Sequence, residues 1–470
     1  MVTPSEPGMP DSKTTPPDHG AGFHRSIGLF SATAINMTQM CGIGPFITIP
    51  LMVAAMGGPQ AVVGWIVGAI LAVADGLVWA ELGAAMPGSG GTYVYLREAF
   101  QYRTGKLMPF LFIWTVLLAC PLTMSTGIIG MVEYLQFFFP HLSRLAAHLI
   151  GLAATGLVVV LLYRRIESIR TITIALWIVM LVSVVGVSAA GFSDFHADLA
   201  FTYPADAFGG HFFMGLGAGL IIGIYDYLGY FTTAYMGDEL RDPGRTMPGS
   251  IIISVIAMMF VYLILNISVL GIVPWHEIAE SKSVASLVVE HSWGHVAASA
   301  MTVLIIVTAL ASVFAGLLGG SRVPYQAARE KVFLPVFGRL HPRHGFPHVA
   351  LLTMGAVTAI GTFFDLNDVI NMLLAAAIIV QSIAQIAALV VLRQRQPGLN
   401  RPYRQWLYPV PCVVALLGWV YVYVSASPLS LVLSGVWILV GLGVFLVWAK
   451  LNKSWPFAPV EIHEAYLEKH

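Results

Sequence analysis

Residues 215–230 read GLGAGLIIGIYDYLGY, an apolar, glycine-rich run holding one carboxylate, Asp226, near its middle. With its flanks (209–236) the run is long enough to cross a hydrocarbon core, which takes about 20 apolar residues of helix. A carboxylate at that depth costs several kcal/mol unless it finds a partner. Gly215, Gly217 and Gly219 suit close helix packing; Gly223, the polar cluster Tyr225-Asp226-Tyr227 and Gly229 follow. The stretch therefore predicts a membrane span interrupted around Asp226.

The rest of the chain agrees with a membrane protein. Of 470 residues, 57% are hydrophobic and only 10% charged, against about 25% charged in soluble domains. That excludes an ordinary soluble enzyme. Lys+Arg and Asp+Glu both count 24, so the basic excess of a nucleic-acid binder is absent. Cys41, Cys120 and Cys412 lie in apolar stretches and suit neither a disulfide framework nor a CxxC metal site. Two glycosylation-like triplets, at Asn36 and Asn266, fall inside apolar segments and read as chance.

At the scale of one bilayer the chain gives an all-α integral membrane protein of about 12 transmembrane helices, near 27–56, 60–84, 107–136, 142–163, 169–192, 209–236, 249–273, 298–320, 347–364, 367–392, 405–425 and 428–450. With the N-terminus inside, 22 of the 24 positive residues fall on the cytoplasmic side, and only Arg144 and Lys282 outside. Both termini are thus expected in the cytoplasm and the chain in a cell (inner or plasma) membrane. The expected organisation is a disordered tail (1–24), a first five-helix repeat (25–192), a second (193–392), helices 11 and 12 (393–450) and a C-terminal cytoplasmic tail (451–470). Between Trp275 and Gly294 the spacing of Ile278, Val284, Leu287 and Val288 suits a short amphipathic helix over the outer face.

Span 1 carries Gly42-Ile43-Gly44-Pro45 at mid-membrane, where proline removes an N–H and clashes with the preceding turn. Interrupted backbone at that depth is tolerated only where protein or a ligand satisfies it. Two broken helices five spans apart point to a five-plus-five inverted repeat with a substrate site between the breaks. Such a site reads zwitterions. The N–H groups of the Gly42–Phe46 region suit a carboxylate, with Cys41 beside them a further substrate-binding candidate, and free carbonyls near Ile224 and Tyr225 suit an ammonium group. Tyr225, Tyr227 and Tyr230 offer aromatic faces or gates. Asp226 holds a cation, exchanges a proton, or is structural.

These residues resemble the amino acid–polyamine–organocation transporter superfamily over nearly the whole chain, from Arg25 to about Lys450. Gly42-Ile43-Gly44-Pro45-Phe46 is similar to its unwound segment. Ala80-Glu81-Leu82 with Pro87 to Tyr95 resembles the stretch after helix 2, Glu239 to Pro248 the signature after helix 6, and Ser321-Arg322 through Pro335 the loop after helix 8. The resemblance implies alternating access for amino acids or related amines, two further C-terminal helices, an aromatic gate at Tyr225 and an apolar substrate contact at Leu228. Span 5 lacks the lysine of some proton-coupled relatives, with Trp177 in its place. Asp226 stands where relatives carry a small or hydroxyl residue.

The expectation is a secondary active transporter of amino acids, cationic or proton-coupled, with a polyamine or amine exchanger as the alternative and a channel as the distant one. No cofactor is expected; proton coupling is favoured over sodium, for which Thr308 and Ser312 are the available hydroxyls. Glu81, Glu239, Arg322 and Arg329 suit an inner charge network, and Asp75 is a second intramembrane carboxylate. Partners are the small-molecule substrate and the lipid bilayer, with no nucleic acid; the protein is a monomer or homo-oligomer. Enzyme function is not expected, because the 14 histidines show no HExxH spacing, and ATP-driven pumping is not expected, because no G-x-x-x-x-G-K-S/T loop is present.

Overall fold

The computed structural model describes residues 27–87, 91–163, 169–342 and 345–457, with side chains 164–177 and Asp238 outside that description. The expected N-terminal tail, residues 458–470 of the expected C-terminal tail, residues 88–90 of the second motif and the Trp177 side chain lie outside the described residues. Among those described, every regular element is helical, and one isolated bridge joins Ile27 to Leu240.

The first span is two helices, α1 (Leu29–Met40) and α2 (Gly44–Met56), bent by 58° at a short break. Pro45 sits at the start of α2, where its missing N–H is harmless. α3 (Ala61–Ala85) follows, then the short α4 (Thr92–Thr104), α5 (Leu107–Leu135), α6 (Arg144–Tyr163), α7 (Ile169–Ser193) and α8 (Ala197–Phe201). α9 (Phe212–Tyr227) ends at Leu228, and the chain continues through a 3-10 segment, Thr232–Glu239. α10 (Pro243–Leu270) leads to α11 (Trp275–Glu280), α12 (Val284–Trp293), α13 (His295–Gly320), α14 (Arg322–Arg329) and α15 (His348–Gly361). α16 (Leu366–Ala377) passes through a π-helical stretch, Ile378–Ile383, into α17 (Ala384–Arg395); α18 (Val410–Ser425) and α19 (Pro428–Leu451) complete the fold.

Among the described residues, eight helices are long and apolar enough to cross a membrane, and the bent α1–α2 pair makes nine. Two shorter apolar helices, His348–Gly361 and Val410–Ser425, fall where spans 9 and 11 were expected, and α7 falls where span 5 was, its stretch with described side chains (Ile178–Ser193) being apolar. α6 and α19 bury only 22% of their apolar windows. Leu145, Leu149, Leu157, Val432 and Leu439 consequently stand outward, an apolar belt suited to lipid rather than water.

The spans pack through small residues, as glycine-rich membrane helices do. A Cβ on Gly215 would come within 2.7 Å of the Ala55 carbonyl, and one on Gly219 within 3.0 Å of Met52 Sδ, so α9 lies close on α2. α19 docks on α5 through Trp114 and Trp437, whose indole N–H groups donate to each other's carbonyls at 2.9 and 3.1 Å. The segment after α10 is two helices rather than one. Both bury their apolar faces (Ile278, Val284, Val288) against α2, α7 and α13. Asn36 and Asn266 are buried, Asn36 exchanging hydrogen bonds with Thr233 (3.3 and 3.1 Å), which ties α1 to the segment after α9.

Candidate functional site

The two breaks meet. Gly229 has φ +120°, and a Cβ there would fall 2.7 Å from Gln39 Cβ and 3.1 Å from the Met40 nitrogen. Only glycine accepts both that backbone and that approach. Tyr262 from α10 closes the crossing: its hydroxyl donates toward the Met40 carbonyl (2.7 Å), with the Asp226 carbonyl 2.9 Å away. A cavity of about 690 Å³ opens from this point. It is lined by Cys41 to Gly44, Tyr225, Asp226, Leu228 and Tyr230 at its head, and by Phe112, Tyr235, Gly320 and Val323 toward the face that carries Lys106 and Arg322. On the opposite side Tyr134 seals the bundle, its hydroxyl donating to the Phe46 carbonyl (3.0 Å) and accepting the Ala285 N–H (3.2 Å).

Span 6 breaks later than the sequence suggests. Tyr225, Asp226 and Tyr227 form the last turn of α9, and the backbone leaves the helix at Leu228. The Ile224 and Tyr225 carbonyls are consequently occupied by the Leu228 N–H (3.0 and 3.2 Å) and are not free for an ammonium group. Ile224 is fully buried and outside the cavity lining. Among the described residues, the carbonyls of Gln39 and Cys41 in span 1 and of Leu228 past the end of α9 accept no hydrogen bond, so both broken spans leave open acceptors. The N–H groups of Gly42, Ile43 and Gly44 likewise have no protein acceptor.

Asp226 is 3% exposed. Its Oδ2 is 2.5 Å from Thr48 Oγ1 on α2, and Oδ1 has no hydrogen-bond partner. Oδ1 lies so close to Gly44 that a Cβ there would be 2.2 Å away. Tyr225 is held by Thr126 of α5 at 2.6 Å. Tyr227 turns away from the cavity and donates to the Trp65 carbonyl (3.1 Å), so it is a packing residue and not a gate over the cavity.

Asp75 on α3 reaches the same cavity, 1% exposed. Oδ1 accepts from Trp419 Nε1 (2.9 Å), and Oδ2 from the Tyr230 hydroxyl (2.6 Å) and Trp79 Nε1 (3.0 Å). Three neutral donors therefore fix the carboxylate and tie the segment after α9 to α3 and α18. Trp419→Phe removes one donor, and a hydrogen bond to a charged group is worth about 1.5–3 kcal/mol. The variant is expected to melt at a lower temperature than Trp79→Tyr, which retains a hydroxyl; equal melting curves would count against the three-donor cradle.

The inner charge network has other members than expected. Glu81 is fully buried and takes both Nε (2.8 Å) and Nη2 (2.5 Å) of Arg393, with the Gln405 N–H at 2.8 Å and Arg401 Nε at 3.7 Å. Arg393 also lies 3.8 Å over the Tyr408 ring. Burial holds the Arg401 guanidinium below its ordinary value, although Glu81 opposes that shift. Arg322 is exposed, and neither it nor Glu239 joins this cluster or lines the cavity. Arg329 stacks on Tyr325 instead. Thr308 gives its hydroxyl to the Leu304 carbonyl (2.8 Å), and Ser312 faces Gly42.

Sequence reasoning missed Thr48, Trp419, Arg393 and the π-helical turn whose Ile378, Gln381 and Ser382 line the cavity. Thr48 alone left a readable signal, since it stands four residues after Gly44 on the same helix face.

The family described as amino acid permease matches residues 27–449. The branched-chain amino acid permease of Bacillus subtilis (strain 168) is 23% identical over 458 residues, covering 92% of this chain and 94% of its own. Asc-type amino acid transporter 1 of Mus musculus is 28% identical over 459 residues, covering 93% and 83%. The serine/threonine exchanger of Bacillus subtilis (strain 168) is 24% identical over 453 residues, covering 92% and 98%. The described helices, the broken first span and the match along almost the whole chain lead to one assignment: this protein belongs to the amino acid permease family of the amino acid–polyamine–organocation superfamily.

Proposed function

We propose that this permease is a secondary active transporter that carries amino acids across a cell membrane by alternating access, with both termini in the cytoplasm. One observation carries the reading: two broken spans cross at the head of a cavity of about 690 Å³ that leads toward the basic face. On the positive-inside rule that face is cytoplasmic, which makes this an inward-facing form closed outside by Tyr134. The placement of the breaks, in the first and sixth spans, supports two inverted five-helix repeats with α18 and α19 added.

The substrate's carboxylate is assigned to the N–H groups at the start of α2, and its ammonium group to the open carbonyls of Gln39 and Cys41. The names of two relatives, a branched-chain permease and a serine/threonine exchanger, favour side chains without charge. Among the described residues, the cavity is lined by two acids, Asp75 and Asp226, and by no Lys, Arg or His. That lining supports the second reading, a cationic amino acid or amine. Asp75 already holds three donors, so Asp226 is the carboxylate left for coupling, with a proton favoured over sodium.

Uptake into proteoliposomes tests this, using radiolabelled amino acids and putrescine with and without an imposed pH gradient. Accumulation of one or a few amino acids, driven by an alkaline interior and abolished by a protonophore, is expected. Uptake of putrescine alone would replace amino acids by amines, and no uptake of any amino acid would end the reading.

A further inference from the structure

Thr48 Oγ1 lies 3.0 Å from the Gly44 carbonyl and 2.5 Å from Asp226 Oδ2. A hydroxyl has one proton to give. Threonine within a helix commonly gives it to the carbonyl four residues back. Oγ1 is then an acceptor toward Asp226, and Oδ2 must supply the proton of that contact. The unpartnered Oδ1 fits the same state, since a neutral carbonyl oxygen is far cheaper to bury than half of an unpaired carboxylate.

Oδ1 also abuts Gly44, the first residue of α2, and the N–H groups of Gly42, Ile43 and Gly44 have no acceptor among the described residues. We propose that the N-terminus of α2 is a carboxylate seat that Asp226 and the substrate share in turn. Two anions cannot hold one helix end without mutual repulsion. When the substrate carboxylate sits there, Asp226 keeps its proton on Oδ2 and hydrogen-bonds to Thr48. When the substrate leaves, the proton passes from Oδ2 to water in the cavity and the Asp226 carboxylate takes over the N–H groups. On the next binding event a proton returns from water to Oδ2. Each substrate carboxylate thus enters and leaves with one proton, and the helix end holds one anion in both forms, while the substrate's ammonium group adds one positive charge to the bound site.

The groups facing Asp226 leave this exchange to Asp226 itself. They are the Cys41 thiol from the break in span 1, Tyr225 and Tyr227 on its own helix, and Tyr262 from α10. α3 contributes Asp75, which lines the same cavity and is engaged by Trp419 of α18, Trp79 and Tyr230. α2 contributes only Thr48. The proposal rests on the amino acid reading above and adds the coupling step to it.

Calorimetric titration of the purified full-length protein tests it, in buffers of different ionisation enthalpy from about pH 5.5 to 8. The probes are L-leucine, L-serine and L-arginine, each beside the amine that lacks its carboxylate: 3-methylbutylamine, ethanolamine and agmatine. The wild type is expected to take up about one proton per bound amino acid, and to lose about tenfold in affinity per pH unit above the titration of Asp226. The amines are expected to bind more weakly at every pH. Asp226→Asn is expected to bind with no proton uptake and a flat pH profile. Thr48→Val, which keeps the shape of the side chain, is expected to move the pH of the affinity loss while keeping the single proton. Amino acid binding by the wild type without proton uptake, an unchanged profile in Asp226→Asn, or tighter binding of the amines each overturns the shared seat while leaving an amino acid or amine site in place. Absence of binding by any probe overturns the transport reading and this step together.

Discussion

Replacing Gly44 by alanine is expected to lower uptake by about tenfold or more while the protein still reaches the membrane and elutes as a single species. The added Cβ would lie 2.2 Å from Asp226 Oδ1, 3.3 Å from its Cγ and 3.7 Å from Tyr225 Cε1. A long side chain would swing aside, but Asp226 has only two torsions, and Thr48 holds its other oxygen at 2.5 Å. Relief must come from separating α2 and α9 or from turning the carboxyl out of its place. Overpacking of this kind costs about 1–3 kcal/mol, which is about 5- to 150-fold in a binding constant. The double variant Gly44→Ala, Asp226→Ser removes the clashing atom and is expected to regain part of the binding, though not its proton linkage. Wild-type uptake by Gly44→Ala alone would mean that the carboxyl is not pressed against the start of α2.

Glu81→Gln is expected to be the most destabilising conservative change in the chain. Glu81 is fully buried and is the shared anion for Arg393 and Arg401 as well as the acceptor for the Gln405 N–H. Removing one member of a buried ion pair costs about 3–5 kcal/mol, chiefly because the remaining charge is left without an anion. The end of α17 and the segment entering α18 would come loose together. A fall in melting temperature larger than that of Arg393→Lys is expected, since lysine keeps the charge and loses only the two-pronged geometry. If Glu81→Gln melts with the wild type, the cluster is a surface ornament and not the clamp described.

The contrast between these two sites also says what a single sequence can reveal. The broken first span was legible because Gly42, Gly44 and Pro45 act on their own backbone, within one turn. The second break was placed a turn early: polar Tyr225-Asp226-Tyr227 marked the depth, but the backbone departs where Gly229 allows positive φ and Gln39 leaves no room for a side chain. Asp75 and Asp226 were singled out by the cost of burying charge. Their donors were not, because Trp419 lies 344 residues from Asp75 and Thr48 lies 178 from Asp226. Glu81 was likewise recognised as a network member but given the wrong partners. Several basic residues reach that face, and only the packing of α3 against α17 and α18 selects Arg393 over Arg322.

The Asn36–Thr233 pair carries a consequence for biogenesis. The two residues exchange hydrogen bonds across 197 positions of sequence. A chain made at about 5–20 residues per second presents Asn36 to the bilayer on the order of 10–40 s before Thr233 exists. For that time a buried amide in the first helix has no native partner, and in hydrocarbon an unsatisfied polar group is costly. The first helix to emerge is therefore among the last to reach its final bonding, and its early residence must be in water, against the insertion machinery or in provisional contact with later helices.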